Sequence, residues 1–229
     1  MSNFGSAGAA TWQSTTIRDL LTAERLKSYL DICGSDLDCG LELYKWNLLA
    51  SASVIELSAM VEVIVRNAID AQLSIWAQEH GDWFDIIQLD TKGMADLSKA
   101  IDRATKGGRV PQVHGKVIAE LNLGFWRYLV AQRYHAGLWV PFLHNAFPGG
   151  NADLRRRRQD VEHRLDNLTV VRNRAPHHEP IHKRNLGRDL QNSLELLAWI
   201  NPEAAAWAME VSTLGEIIAN KPLPPIQVS

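Results

Sequence analysis

Between Arg172 and Glu179 the chain carries two arginines, an asparagine, two histidines and a glutamate within eight residues. Pro176 stands just before the first histidine and Pro180 just after the glutamate. A guanidinium offers a planar fork to phosphate oxygens and to charge that builds up in a transition state. An imidazole titrates near neutral pH and can take or give a proton. Together, Arg172 and His177 could let an RNA 2′-hydroxyl attack its own phosphodiester without a metal. Nothing else in the sequence combines a cation, a base of that kind and a backbone break in so short a span.

The helix that precedes this run decides how it is presented. Leu154, Val161, Leu165 and Leu168 fall within about ±40° on a helical wheel, a narrow apolar stripe. Continuing the register puts Arg172 in the middle of that stripe. Arginine does not shed its charge on burial, so Arg172 must meet an acid, a phosphate or a subunit interface. A satisfied core ion pair is the plain alternative. In an unbroken helix His177, five positions on, would point about 140° away from Arg172. Pro176 should kink or end the helix, and that break would let His177 turn back. A histidine pair beside a proline is otherwise a capping or turn feature.

Arg155 to Arg158 span a full turn of the same helix and cannot all face one partner. Arg158 lies nearest the stripe, and Arg155 and Arg158 are the candidates for RNA backbone contact; a solvated face is the competing reading. His177, His178, Glu179 and His182 are the competing metal set. Pro180 interrupts the i, i+4 pair of His178 and His182, and neither a metal nor another cofactor is expected.

Around the run, strand patterns are nearly absent and helical periodicity recurs from residue 17 to about 218. One helix is expected from Ile17 to Leu30 with Thr16 as its cap, then a turn around Gly34. A long helix follows from Leu37 to Gln78. Further helices are expected over Thr91–Ala104, Val113–Leu121, Asp153–Arg174, Lys183–Trp199 and Pro202–Val211, with Leu138–Phe147 as a helix or a pair of turns. In the long helix Ile55, Val61, Ile64, Val65, Ala68, Ile69, Leu73 and Trp76 form an apolar face. Glu62 and Arg66 share it as an i, i+4 pair, acid first, either a structural buried pair or part of a polar pocket. The reading is a single all-α domain over residues 15–220, with a flexible tail at 1–14 and a proline-rich tail at 221–229.

Bulk properties set outer limits. The 229 residues suffice for a large core. A net charge of −2 gives no global attraction to nucleic acid, so RNA binding would need a local basic patch. Apolar runs look too short and too interrupted for a membrane span, and the first eleven residues lack the regions of a signal peptide. Two cysteines, Cys33 and Cys39, make neither a disulfide framework nor a zinc tetrad. A reducing cytoplasm is the expected location.

These residues also carry a resemblance. Arg172-Asn173 followed by three residues and His177 is similar to the RNxxxH form of the Arg-x(4–6)-His motif of HEPN ribonuclease domains. The run from Val171 to Ile181 resembles the RNRxAHHEPI signature of the Abi-like, abortive-infection family. Leu43-Tyr44-x-Trp46-Asn47 resembles that family's LYxWN segment, Val61 to Ile69 its vEvxLRNai helix, and Glu120 to Trp126 its ELxFGFW segment. The four segments keep the expected order across roughly residues 40 to 200.

The resemblance implies an all-helical HEPN bundle, usually a homodimer whose two motifs face each other. It implies a metal-independent endoribonuclease of phage defence or a toxin–antitoxin system, with an antitoxin or other defence-system partner. The alternative is a catalytically silent HEPN module that binds RNA or protein. Arg172 and His177 would be catalytic, with Asn173 positioning the histidine or the phosphate. Arg174, His178, Glu179, Glu62, Arg66 and Asn67 would be accessory. At Ala175-Pro176 the chain departs from the usual apolar residue followed by Ala or Cys, which keeps both His177 and His178 as candidates for the functional histidine.

Overall fold

A computed structural model describes residues 12–222; the expectations for residues 1–11 and 223–229 fall outside these. Among the described residues there is no strand, and the fold is all-α. Its longest element forms where the sequence offers neither proline nor, after Gly40, any glycine: α3, Leu37–Ala77. Asp36 starts it by accepting a hydrogen bond from the Cys39 amide at 2.9 Å, and Gly81 at φ 96° follows its end. At about 1.5 Å per residue α3 runs on the order of 60 Å, and most other elements pack on it.

The buried residues of α3 include Val54, Leu57, Val61, Val65, Ile69, Leu73 and Ala77. From Leu57 they recur every fourth residue, and each step advances about 40° around the axis. The stripe therefore winds and changes neighbours. Its early part meets α11 (Leu214–Ala219), where Trp46 donates to the Ile217 carbonyl at 2.6 Å and Ser53 pairs with Thr213 at 2.6 Å. Its late part meets α4 (Trp83–Ile86) and the 135–147 segment, through Trp83 on Asp70 and Trp76 against Phe142.

This winding corrects the straight-face reading of α3. Ile55 is 43% exposed, and Glu62 and Arg66 lie half-buried on the flank. They make no ion pair with each other, and Arg66 Nε instead reaches Asn67 Oδ1 at 3.4 Å. The exclusion of a long apolar stretch also fails here. By length and composition α3 could cross a bilayer, with a mean hydropathy of 2.0 over its most apolar window. In this fold 44% of that window is buried against other helices.

Two further differences are local. The expected first helix is two, α1 (Ser14–Leu21) and α2 (Ala23–Leu30), because Thr22 adopts φ 72° and its hydroxyl caps α2 through the Arg25 amide at 3.4 Å. Cys33 and Cys39 are joined as a disulfide across the turn from α2 to α3, with Cα atoms 5.8 Å apart.

The remaining elements are α5 (Thr91–Thr105), α6 (His114–Glu120), α7 (Leu123–Leu129), α8 (Leu154–Arg174), α9 (Leu186–Ile200) and α10 (Pro202–Val211). Leu138–Phe147 takes the second of its two expected forms, the end of a short π-helical segment (His135–Trp139) followed by a 3-10 turn (Leu143–Ala146). α7 lies antiparallel along α8. The Val130 carbonyl meets Arg158 at 2.8 Å, Arg127 pairs with Asp166 further along, and Asn122 and Gly124 reach the level of Thr169 and Asn173.

Candidate functional site

On α8 the inward positions are Arg158, Val161, Leu165, Leu168, Val171 and, just past its end, Ala175. Steps of three and four from 158 would continue to 172, the seam spacing of packed helices. Arg158 and Arg172 thus stand at the two ends of one seam, and they are treated very differently. Arg158 is 2% exposed, donates to Glu162 at 2.5 Å and to the Val130 carbonyl at 2.8 Å, and is sealed. This removes it from any surface RNA would touch and corrects its reading as an RNA contact. Arg155, three residues earlier, is exposed.

Arg172 is only half-buried, because Val171 takes the core position at the end of the seam. Its one hydrogen bond is from Nη1 to the Asn173 side-chain oxygen at 3.4 Å, and no carboxylate among the described residues pairs with it. Arg172 opens instead on a cleft of about 230 Å³ lined by Asn122, Leu123, Gly124, Thr169 and Asn173 as well. The segments that resemble ELxFGFW and RNRxAHHEPI therefore meet at one site.

α8 ends at Arg174, two residues before Pro176, as expected, but the chain does not reverse there. Ala175 still donates to Val171 at 3.2 Å, and the chain completes one more turn. The Glu179 amide then reaches the Arg174 carbonyl at 3.1 Å, and the His178 amide the Ala175 carbonyl at 3.2 Å. This paired closure is the Schellman pattern, and it puts His178 at φ 56°, the left-handed position that glycine occupies most cheaply.

Residues 176–180 form an exposed arch between two buried anchors, Ala175 and Ile181. His177, His178 and Glu179 all lie in solvent, and Arg174 reaches Glu179 at 3.6 Å. Within one chain His177 makes no hydrogen bond to Arg172 and does not line the cleft. The expected turn of His177 back onto Arg172 is absent because the proline sits inside a completed last turn. Glu62, Arg66 and Asn67 do not line the cleft either.

The arch is pinned from α3. Asn47 is 1% exposed, and its side-chain oxygen accepts from the amides of Ile181 at 2.8 Å and His182 at 3.1 Å. The spacing of LYxWN gave no sign of this role. His182 leaves the group of exposed histidines altogether. Its ring packs on Tyr29 at 4.6 Å and meets Ser28 Oγ at 3.1 Å. Among the described residues no three of His, Cys, Asp and Glu gather as a metal-holding set.

A second histidine that sequence reasoning missed is His114, at the start of α6. Its Nδ1 meets Asp82 at 2.6 Å and its Nε2 meets Asp70 at 3.0 Å, while Trp83 Nε1 donates to Asp70 at 2.7 Å. Burial opposes its charge, but the hydrogen bonds to Asp82 and Asp70 outweigh burial and raise its pKa above 6.5. His182 is opposite: burial, helped by Lys183 and Lys221, pushes it down to about 4.

The signs give a bounded stability profile. The His114 contribution is fully present below pH 6.5 and is lost as pH rises through its raised folded value. The His182 contribution is present above pH 6.5 and is lost as pH falls towards about 4, at about 1.4 kcal/mol per unit. Urea midpoints should therefore fall from pH 6 to pH 9 in the wild type and fall less steeply in His114→Asn. Identical slopes would show that His114 is not coupled to folding.

In comparisons with protein-family models, curated proteins and solved structures, nothing matches this chain.

Proposed function

We propose that this protein is a metal-independent endoribonuclease of the HEPN type, acting in phage defence or as a toxin of a toxin–antitoxin system. The observation that carries the reading is Arg172, a half-buried arginine with no acid paired to it among the described residues, open to a polar cleft. A guanidinium in that condition suits a phosphate.

In the reaction the RNA 2′-hydroxyl loses its proton to His177 and its oxygen bonds to phosphorus. Arg172 and Asn173 hold the non-bridging oxygens, the P–O5′ bond breaks, and the departing 5′ oxygen takes a proton from solvent water. The products are a 2′,3′-cyclic phosphate and a 5′-hydroxyl. A homodimer would supply what one chain does not bring together, a His177 arch across from an Arg172 cleft. The outer side of α3 offers a surface for it, since Leu48, Ala52, Ile55, Ala59 and Val63 share one exposed flank. RNA, a second copy and an antitoxin or other defence partner are the partners of this reading, and the cytoplasm is its setting. There the Cys33–Cys39 pair would be held reduced.

The separation of His177 from Arg172 within one chain favours a second reading, a catalytically silent RNA- or protein-binding module. Labelled RNA incubated in EDTA with wild type, His177→Ala and His178→Ala separates the two. The nuclease reading expects His177→Ala to cut at least about 100-fold more slowly, and His178→Ala within a few-fold of wild type. Equal cleavage by all three sinks it, and binding without turnover by the wild type supports the silent module.

A further inference from the structure

The cleft beside Arg172 has a polar inventory that can be completed atom by atom. Asn122 Oδ1 accepts from the Phe125 amide at 3.1 Å, so its carboxamide nitrogen is the free end. Asn173 Oδ1 faces the Arg172 guanidinium, which can only donate, so its nitrogen is free as well. Thr169 spends its hydroxyl hydrogen on the Leu165 carbonyl at 2.7 Å, leaving one oxygen as an acceptor. Leu123 and Gly124 add no polar side-chain atom, and no carboxylate lines the cleft.

The free side-chain groups are thus one guanidinium, two carboxamide NH₂ groups and a single hydroxyl oxygen. Donors of this kind suit the non-bridging oxygens of a phosphodiester, and the lone acceptor suits a ribose hydroxyl beside it. Gly124 keeps the space open, because a Cβ there would come within 3.1 Å of Asn122 Oδ1.

We infer that Asn122 is an RNA-binding residue, which with Arg172 and Asn173 holds a phosphodiester of the strand in this cleft. The inference rests on the ribonuclease reading for the class of ligand, but not on turnover. Asn122 caps the start of α7 and no arginine–histidine motif points to it.

The test uses a fluorescent oligonucleotide with 2′-O-methyl riboses, which cannot be cut, and full-length protein. Asn122→Asp keeps the helix cap, since Asp caps as well as Asn, but replaces the donor with a negative charge facing Arg172. It should weaken binding by at least ten-fold with an unchanged melting curve. Gly124→Ala, which crowds Asn122, should weaken it several-fold. Asn201→Asp, a capping swap of equal charge at the start of α10, should leave binding unchanged.

Wild-type-like binding by Asn122→Asp overturns the inference, as does an equal loss in Asn201→Asp or no binding by the wild type. If binding depends on Asn122 but the wild type cuts no RNA, the cleft stands and the nuclease reading falls. If RNA is cut and Asn122→Asp binds normally, the reverse holds.

Discussion

Arg172→Ala should lower the rate of RNA cleavage by at least about 100-fold while moving the thermal midpoint by no more than about 2 °C. Arg158→Ala should do the opposite to stability. The two residues lie on one seam of α8, and the difference follows from what each touches. Arg158 is sealed, bonded to Glu162 and the Val130 carbonyl. Removing it strands both acceptors beside a cavity at a cost of about 2–4 kcal/mol. That corresponds to a midpoint lower by roughly 5–15 °C for a domain of this size. Arg172 leaves nothing stranded except a weak contact to Asn173 at 3.4 Å. Arg172→Lys keeps the charge but loses the planar fork, and should recover only a small part of the rate. Single-turnover cleavage in EDTA and thermal melts of the three variants decide the matter. An Arg172→Ala protein that melts as early as Arg158→Ala would make Arg172 a structural residue and remove the main support for the nuclease reading.

The contrast also shows what the sequence could carry. Helical phase located Arg158 on the apolar seam of α8 but missed at its end, where Val171 rather than Arg172 takes the core position; it located α3, α5, α6, α8 and α10 to within a residue or two. The i, i+4 spacing of Arg158 and Glu162 lies in the sequence, whereas the second partner of Arg158, the Val130 carbonyl just past α7, comes from tertiary packing. The reading of α3 erred for a related reason. A wheel assumes one fixed inward direction, whereas the buried residues from Leu57 to Ala77 wind around the helix as its neighbours change. Pro176 did mark the end of α8 at Arg174, but the return of His177 onto Arg172 expected from it is replaced by a last turn that closes through the His178 and Glu179 amides. Thr22 at φ 72° and the half-buried cradle of His114 left no periodic signature at all. What one chain's pattern could not contain is the distance between the cleft and the exposed histidines, which tertiary packing sets.

Asn47 is a second anchor of that packing, and Asn47→Ala should lower the thermal midpoint by roughly 5–12 °C. The side-chain oxygen of Asn47 is the acceptor for two amides, Ile181 and His182, both buried residues of the segment that follows the arch. Each buried amide left without a partner costs about 1–3 kcal/mol. Water does not readily replace the lost acceptor, since Ile181 is fully buried and His182 packs on Tyr29. The consequence reaches function through geometry. Ala175 fixes one end of the exposed arch and Ile181 the other, so releasing Ile181 loosens His177 and His178 without touching either. Native-state hydrogen exchange should show the Ile181 and His182 amides losing protection before those of α8. Cleavage by the folded fraction should fall because His177 is no longer held in one place, while binding of uncut RNA at the Arg172 cleft persists. A variant with unchanged protection at Ile181 and an unchanged midpoint would mean that another contact holds the arch. A variant that loses protection but cleaves normally would mean that the arch need not be rigid for His177 to work.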